Sequence, residues 1–328
     1  MNVLVTGAAG YVGSICAEVL VERGDQVAAL DNLVNGHRRA VPQQAVFREC
    51  DLGDRMQLDR VFSSQPIDAV MHFAAEALVE KSSTEPSTFY VANVACGIHL
   101  LDAMVRHGVK KLIFSSTAAV YGEPEKIPIT EEHAKAPINP YGRSKLVFEQ
   151  ILEHYGAYTG LQYVSLRYFN AAGASNERGE DHGNETHLIP RLLEIALGQR
   201  KHIEVNGNDY PTPDGTCIRD YVHVLDIAEA HMLALAQIER FAGQAFNVGN
   251  NRGYSVKEVL EVARRITRHP IPAVTAAKRP GDPATLVASS EKIRGELAWK
   301  PRFSSLESIL ETAWAWKQRF PSGYKGTR

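Results

Sequence analysis

Gly7, Gly10 and Gly13 directly follow a short apolar run, Val3 to Thr6, and open an amphipathic stretch from Tyr11 to Glu22. Glycines between a strand and a helix let the chain turn tightly, let a pyrophosphate approach the backbone, and let the helix pack on the strand. The helix N-terminus then offers free N–H groups to an anion. The spacing is G-x-x-G-x-x-G, a shifted form of the commoner G-x-G-x-x-G. Asp31 ends the next apolar run, 18 residues after Gly13. A carboxylate there accepts from the ribose hydroxyls of an adenosine and repels the extra phosphate of NADP, so NAD is the expected cofactor. Arg38 and Arg39 lie several residues further along.

The rest of the first half continues this pattern. Gln26 to Leu30, Val46 to Arg48, Ala69 to Phe73, Leu112 to Ser115 and Val164 to Arg167 read as strands. Arg55 to Ser63, Ser87 to Arg106 and Tyr141 to Tyr158 read as helices between them. The expected fold is α/β: a doubly wound Rossmann-type parallel sheet of six strands with a smaller C-terminal α/β substrate domain. Residues 1–170 form the expected NAD-binding domain. Residues 171–328 form mainly the substrate domain, with a stretch near 219–250 returning to the first.

In the second half, polar segments at Ser175 to Glu185, Asn206 to Gly215 and Arg279 to Pro283 read as surface connections or as a pocket roof. Helical patterns recur at Leu188 to Leu197, Leu225 to Gln237, Val256 to Thr267, Ser290 to Leu297 and Leu306 to Arg319. At 328 residues with 44% hydrophobic side chains, the chain can bury a sizeable core. Lys and Arg number 36 against 38 Asp and Glu, so no strong field points to nucleic acid or an anionic membrane. Phosphate recognition must be local.

Cys16, Cys50, Cys96 and Cys217 form no C-x-x-C pair, and no metal is expected. The N-terminus lacks the pattern of a signal peptide and no window approaches 18 uninterrupted apolar residues, so a cytoplasmic setting without membrane attachment is expected.

Two strand ends offer further cofactor contacts. Asp51 closes the third strand, as a helix cap or as acceptor for the adenine amine. Ala74 and Ala75 close the fourth; they are small where a cofactor would cross the sheet, although packing alone also accounts for them.

Tyr141 and Lys145 stand four apart at the start of a helix, so both side chains project from one face. A tyrosine has a pKa of about 10, which puts its phenolate roughly 4 kcal/mol uphill at pH 7. A nearby ammonium and a positive nicotinamide lower that cost and make the tyrosine a general base. The fifth strand ends in Ser115-Ser116-Thr117, and one of these hydroxyls can hold a reacting oxygen at the same edge. The other reading of Tyr141 and Lys145 is a solvated helix face.

The glycine triplet together with Ser/Thr, Tyr and Lys resembles the extended short-chain dehydrogenase/reductase family. Phe114-Ser115-Ser116-Thr117-Ala118-Ala119-Val120-Tyr121-Gly122, Arg167-Tyr168-Phe169-Asn170, Gly207-Asn208-Asp209-Tyr210 and Arg219-Asp220-Tyr221-Val222-His223-Val224 are similar to segments of its nucleotide-sugar 4-epimerases over essentially the whole chain. The resemblance implies that Thr117 and Tyr141 contact the fourth hydroxyl of a UDP-hexose. Tyr141 takes its proton, hydride passes from the same carbon to NAD, and the 4-keto sugar turns before hydride returns to its other face. UDP-galactose and UDP-glucose are the expected pair. The resemblance also implies cofactor contacts by Tyr11, Val12, Asn32, Asn35, Leu52, Phe73, Asn93, Ser115 and Phe169. It places Asn170, His187 and Leu188 on the substrate, Arg219 and Arg279 on the diphosphate, and Asp282 on the uridine ribose. Either arginine can equally be a surface residue in an ion pair.

Dehydratases of the family carry an acidic pair where this chain has Ala118 and Ala119, so elimination chemistry is not expected. Glu76-Ala77 stands where some members have a cofactor-contacting lysine, which implies looser retention of NAD. Leu286 is of intermediate size at a variable sugar-pocket position and leaves UDP-GlcNAc open as a second substrate; UDP-pentose, UDP-uronate and a non-catalytic NAD sensor are the remaining readings. A homodimer is expected through the helices Ser87 to Arg106 and Tyr141 to Tyr158, with Leu100, Leu101 and Met104 either on its face or buried under the sheet.

Overall fold

The computed structural model describes residues 1–279 and 282–325. Pro280 and Gly281, within the expected Arg279 to Pro283 loop, lie outside the described residues. In chain order the strands are β1 (Asn2–Thr6), β2 (Gln26–Asp31), β3 (Val46–Glu49), β4 (Ala69–His72), β5 (Lys111–Thr117), β6 (Gln162–Tyr168) and β7 (Asn170–Ala172). They continue as β8 (Ile203–Asn206), β9 (Ile218–His223), β10 (Gln244–Val248), β11 (Gly253–Ser255), β12 (Ala273–Ala276) and β13 (Thr285–Leu286).

Seven strands form a parallel sheet in the order β10-β6-β5-β4-β1-β2-β3. The chain leaves β1 toward β2 and β3, then crosses to lay β4 on the other side of β1. Loops diverge at that reversal, and a crevice opens above the carboxyl ends of β1 and β4. Strand alternation sends Val3, Val5, Ala29 and Met71 into one core and Leu4, Leu30, Val70 and Phe114 into another, on opposite faces of the sheet. The near-continuous apolar runs read from the sequence reflect this double burial.

The helix Pro140–Thr159 carries the Tyr141 and Lys145 pair. Asn139 caps it by accepting from Gly142 N at 2.8 Å, and Pro140 occupies its first turn. In the C-terminal part, β9 pairs with β11, β13 and β7, while β8 pairs with β12. The helices Leu188–Ala196, Val256–Thr267 and Leu306–Arg319 share a core containing Leu192, Val259, Ile309 and Trp314.

Two expectations change, and one left open between two readings is decided. Six strands become seven, because β10, inside the stretch near 219–250 expected to return to the first domain, adds beside β6; its parallel pairing, Phe246 with Leu166, spans some eighty residues, so its place in the sheet leaves no local signal. The single helix Ser87 to Arg106 is interrupted by a π-helical turn at Val91–Ala95. There Asn93 turns inward to bond the Glu76 main chain and Ser144, and a side chain drawn into tertiary bonds accommodates an extra residue in the turn. Leu100, Leu101 and Met104 are fully buried in the core and offer nothing to a partner. Among the described residues, Pro86–Arg106 is long and apolar enough by composition to cross a membrane, but this face is packed into the protein.

Candidate active site

A cleft of about 1840 Å³ runs along the carboxyl edge of the sheet, with the glycine loop at one end and β8, β9, Arg279, Asp282 and Pro283 at the other. Every residue expected to touch cofactor or substrate lines it except Asn93. Asn93 lies behind the wall with its amide committed to Glu76 and Ser144, so it braces the cleft without facing it.

The three glycines are needed for different reasons. Gly7 has φ +70°, and a Cβ there would lie 2.5 Å from Ala74 N. A Cβ on Gly13 would lie 2.2 Å from the Gly7 carbonyl oxygen. The protein itself forbids side chains at both. Gly10 differs: its Cβ would meet nothing closer than 3.4 Å. Gly10 is the N-cap of the helix Tyr11–Glu22, whose first turn has no side-chain cap. An open backbone surface at an uncapped helix start fits a pyrophosphate, which satisfies N–H groups and tolerates no Cβ in its path.

Asp31 sits beside this cradle. Its Oδ2 accepts from Ala9 N at 2.9 Å and its Oδ1 from Leu33 N at 2.8 Å, so the carboxylate braces the glycine loop and keeps lone pairs for a ribose. Burial pushes its pKa up against the pull of those N–H groups. Asp51 is held by Asn32 Nδ2 at 2.6 Å and Gly53 N at 2.7 Å. Asn35 Nδ2 donates to Glu76 Oε1 at 3.0 Å.

At the middle of the cleft, strand alternation separates the three hydroxyls of β5. Ser116 donates to Glu149 Oε1 at 2.5 Å, inside a buried pair in which Arg167 Nη2 lies 2.6 Å from Glu149 Oε2. Thr117 stands beside Tyr141, whose phenol is pushed up by burial and drawn down by the Thr117 hydroxyl. Lys145 is almost fully buried; its Nζ donates to Ser115 O at 2.9 Å and stands 5.0 Å from the centre of the Phe114 ring. Burial lowers its pKa to about 7, with Glu149 opposing. The sequence reading has Lys145 easing ionisation of Tyr141. The phenol's pKa instead lies above its ordinary value, because burial outweighs the pull of the Thr117 hydroxyl.

Tyr168 adds a contact that sequence reasoning missed. His231 Nδ1 lies 2.9 Å from Ile227 O and must donate to it, so Nε2 is bare and accepts from Tyr168 OH at 2.9 Å.

At the far end Arg219 donates to Ile218 O at 2.7 Å and ion-pairs with Asp282. Arg279 Nε lies 2.8 Å from Glu80 Oε1, on the helix Val79–Thr84 of the opposite wall. The two readings of these arginines, diphosphate ligand or ion pair, thus meet in one place: both line the cleft and both are paired. Asn170, Leu188 and Leu286 line the same end. His187 also borders the cleft, but its ring is engaged by Glu180 at 2.6 Å. Glu180, His182, Glu185 and His187 lie close together, a grouping missed by a search for metal sites confined to cysteine spacing.

A doubly wound sheet with a glycine cradle at its switch point and a tyrosine–lysine pair in the same cleft defines a dinucleotide-binding protein built for redox chemistry. Comparison with known proteins narrows this. The family model described as the NAD dependent epimerase/dehydratase family matches residues 3–249. UDP-glucose 4-epimerase of Halalkalibacterium halodurans is 51% identical over 328 residues, covering 99% of this chain and 98% of the relative. A crystal structure of a UDP-glucose 4-epimerase superposes with a TM-score of 0.96 at 47% identity, covering 99% of this chain and 100% of that one. The enzyme of that name from Bifidobacterium longum, solved with NAD+ and UDP, superposes with a TM-score of 0.94 at 37% identity, over 98% and 100% of the two chains. The chain belongs to the NAD dependent epimerase/dehydratase family.

Proposed function

We propose that the protein is a UDP-hexose 4-epimerase that interconverts UDP-galactose and UDP-glucose. The observation that carries this reading is the grouping of Thr117, Tyr141 and Lys145 in one cleft between a glycine cradle and two arginines. The likeness to UDP-glucose 4-epimerases along nearly the full chain supports it.

Bound in the cradle, NAD supplies reversible hydride acceptance at the fourth carbon of the sugar. Tyr141 takes the proton from the C4 hydroxyl and later returns it, and Thr117 holds that oxygen in line. Lys145 fixes the Ser115 strand end and, when protonated, brings a positive charge into the same cleft as the phenol. Arg219 and Arg279 hold the diphosphate by charge-assisted bonds, leaving the sugar ring free to turn in a roomy cleft. Ala118 and Ala119 provide no acid or base for loss of water. Residues 1–170 with the returning part of the 219–250 stretch hold the cofactor and supply Thr117 and Tyr141, and the remainder, together with Arg219, serves mainly the nucleotide sugar.

A second copy of the chain is expected across Pro86–Arg106 and Pro140–Thr159. Exposed Tyr90 and Val91 on the first and Tyr158 on the second take the place of the buried leucines as its apolar contacts. Four free thiols suit a reducing, cytoplasmic compartment.

Incubation with NAD and UDP-galactose tests the reading. It predicts conversion to UDP-glucose, slowed on the order of a hundredfold or more in Tyr141→Phe. No conversion refutes the substrate, and an equally active variant refutes the base.

A further inference from the structure

One side-chain cluster in the cleft wall takes no step in this chemistry, although one of its members, His187, is expected beside the substrate. The segment between β7 and the helix Leu188–Ala196 carries Glu180, His182, Glu185 and His187. Each offers one ligand atom, and the four atoms lie within 4.8 Å of one another. His187 Nδ1 is 2.6 Å from Glu180 Oε1 and 3.5 Å from Glu185 Oε1, and His182 Nε2 is 3.3 Å from Glu180 Oε1. The two carboxylates are withdrawn from water, with side chains 9% and 4% exposed.

Two carboxylates so close and so dry repel each other, and burying them is costly unless a cation lies between. Among the described residues the ion-pair partners of both are imidazoles alone; no lysine or arginine pairs with either carboxylate, although the Arg279 charge bears on His187. An imidazole is the commonest protein ligand of a metal ion.

The local fold holds the donors in place. His187 is the N-cap of the helix Leu188–Ala196, and its N–H donates to Glu185 Oε1 at 2.8 Å, which turns that carboxylate inward. Asp181, between Glu180 and His182, is tied on two sides: its carbonyl contacts His37 Nε2 at 3.0 Å and its Oδ2 accepts from Tyr324 N at 2.8 Å. The cluster abuts the first turn of the helix after the glycine cradle. Tyr11 donates to Gly173 O at 2.6 Å, and its hydroxyl is pushed up by burial first and by the Glu180 charge next.

We propose that Glu180, His182, Glu185 and His187 bind one divalent transition-metal ion of the zinc type, which staples the loop before Leu188 to itself beside the cofactor half of the cleft. Two imidazole nitrogens and two carboxylate oxygens match zinc, whose bonds of about 2.0–2.2 Å imply ligand separations of roughly 3.3–3.6 Å in a tetrahedron. The present separations bracket those values, so shifts of about an ångström complete the site. Magnesium and calcium favour all-oxygen shells. Four protein ligands leave no open position for water, so the ion is structural.

The test uses the full chain stripped with a chelator and titrated with zinc chloride, with metal content measured after gel filtration. One zinc per chain is expected, with affinity reduced tenfold or more in both His182→Ala and Glu185→Gln. Cobalt in the same site gives the intense visible bands of four-coordination, absent from His182→Ala. Zinc should slow proteolysis at exposed Gly183 and Asn184 in the unsubstituted protein alone. Failure of the unsubstituted protein to bind zinc overturns the site, as does equal binding by both variants or the weak bands of six-coordinate cobalt. Unchanged proteolysis overturns the staple.

Discussion

Arg279 Nε lies 2.8 Å from Glu80 Oε1 and joins the two walls of the cleft at its substrate end. A nucleotide diphosphate that takes Arg279 must displace Glu80, so the carboxylate competes with substrate. The pair is partly solvated, with side chains 35% and 50% exposed, and such pairs contribute about 1 kcal/mol at most. Glu80→Gln should therefore tighten UDP binding by up to about fivefold, measured calorimetrically. Unchanged or weaker binding would remove Glu80 as a competitor.

The glycine cradle separates folding from binding. Gly10→Ala meets nothing closer than 3.4 Å in the protein, so the NAD-free chain should lose about 1 kcal/mol of stability or less. NAD affinity should fall at least tenfold, because the new methyl projects into the anion's approach. Gly13→Ala places Cβ 2.2 Å from Gly7 O and should cost about 1–3 kcal/mol before any ligand is added. Thermal melts without NAD, paired with NAD titrations, check both; equal behaviour of the two variants would count against the cradle.

Buried histidines set the acid limit of stability. His223 is fully buried, and burial lowers its pKa to about 3, with Arg302 adding to the effect. The unfolded value is about 6.5, so its contribution is fully present above that pH and is lost as pH falls toward 3. By pH 4.5 the loss is about 2–3 kcal/mol. Its Nδ1 accepts from Leu225 N at 3.1 Å as a helix cap, a role asparagine can keep. His223→Asn should flatten the fall in unfolding free energy between pH 7 and 4.5 by about that amount. Parallel curves would exclude His223 from the acid response.

Much of this architecture is legible in the sequence because its signals are local. The glycines after β1 mark where a helix starts, and the spacing of Tyr141 and Lys145 marks which side chains a later helix presents together. Features made by distant residues are not legible. Glu80 gives no sign that it will meet Arg279, nor Asn93 that it will reach Glu76 and open a π-turn. Lys145 reads as a partner for Tyr141, yet its burial and its bond to Ser115 O depend on how the helix lies against β5. The Glu180-to-His187 run is visible as spacing, but only the folded loop turns its four donors toward one point.

The central claim is that the cleft removes and restores hydride at one carbon. UDP-galactose deuterated at the fourth carbon, incubated with the protein and NAD in ordinary water, tests it most directly. The account predicts UDP-glucose that keeps its deuterium at that carbon, with no NADH accumulating. Loss of the label to solvent, or steady release of NADH, would contradict it.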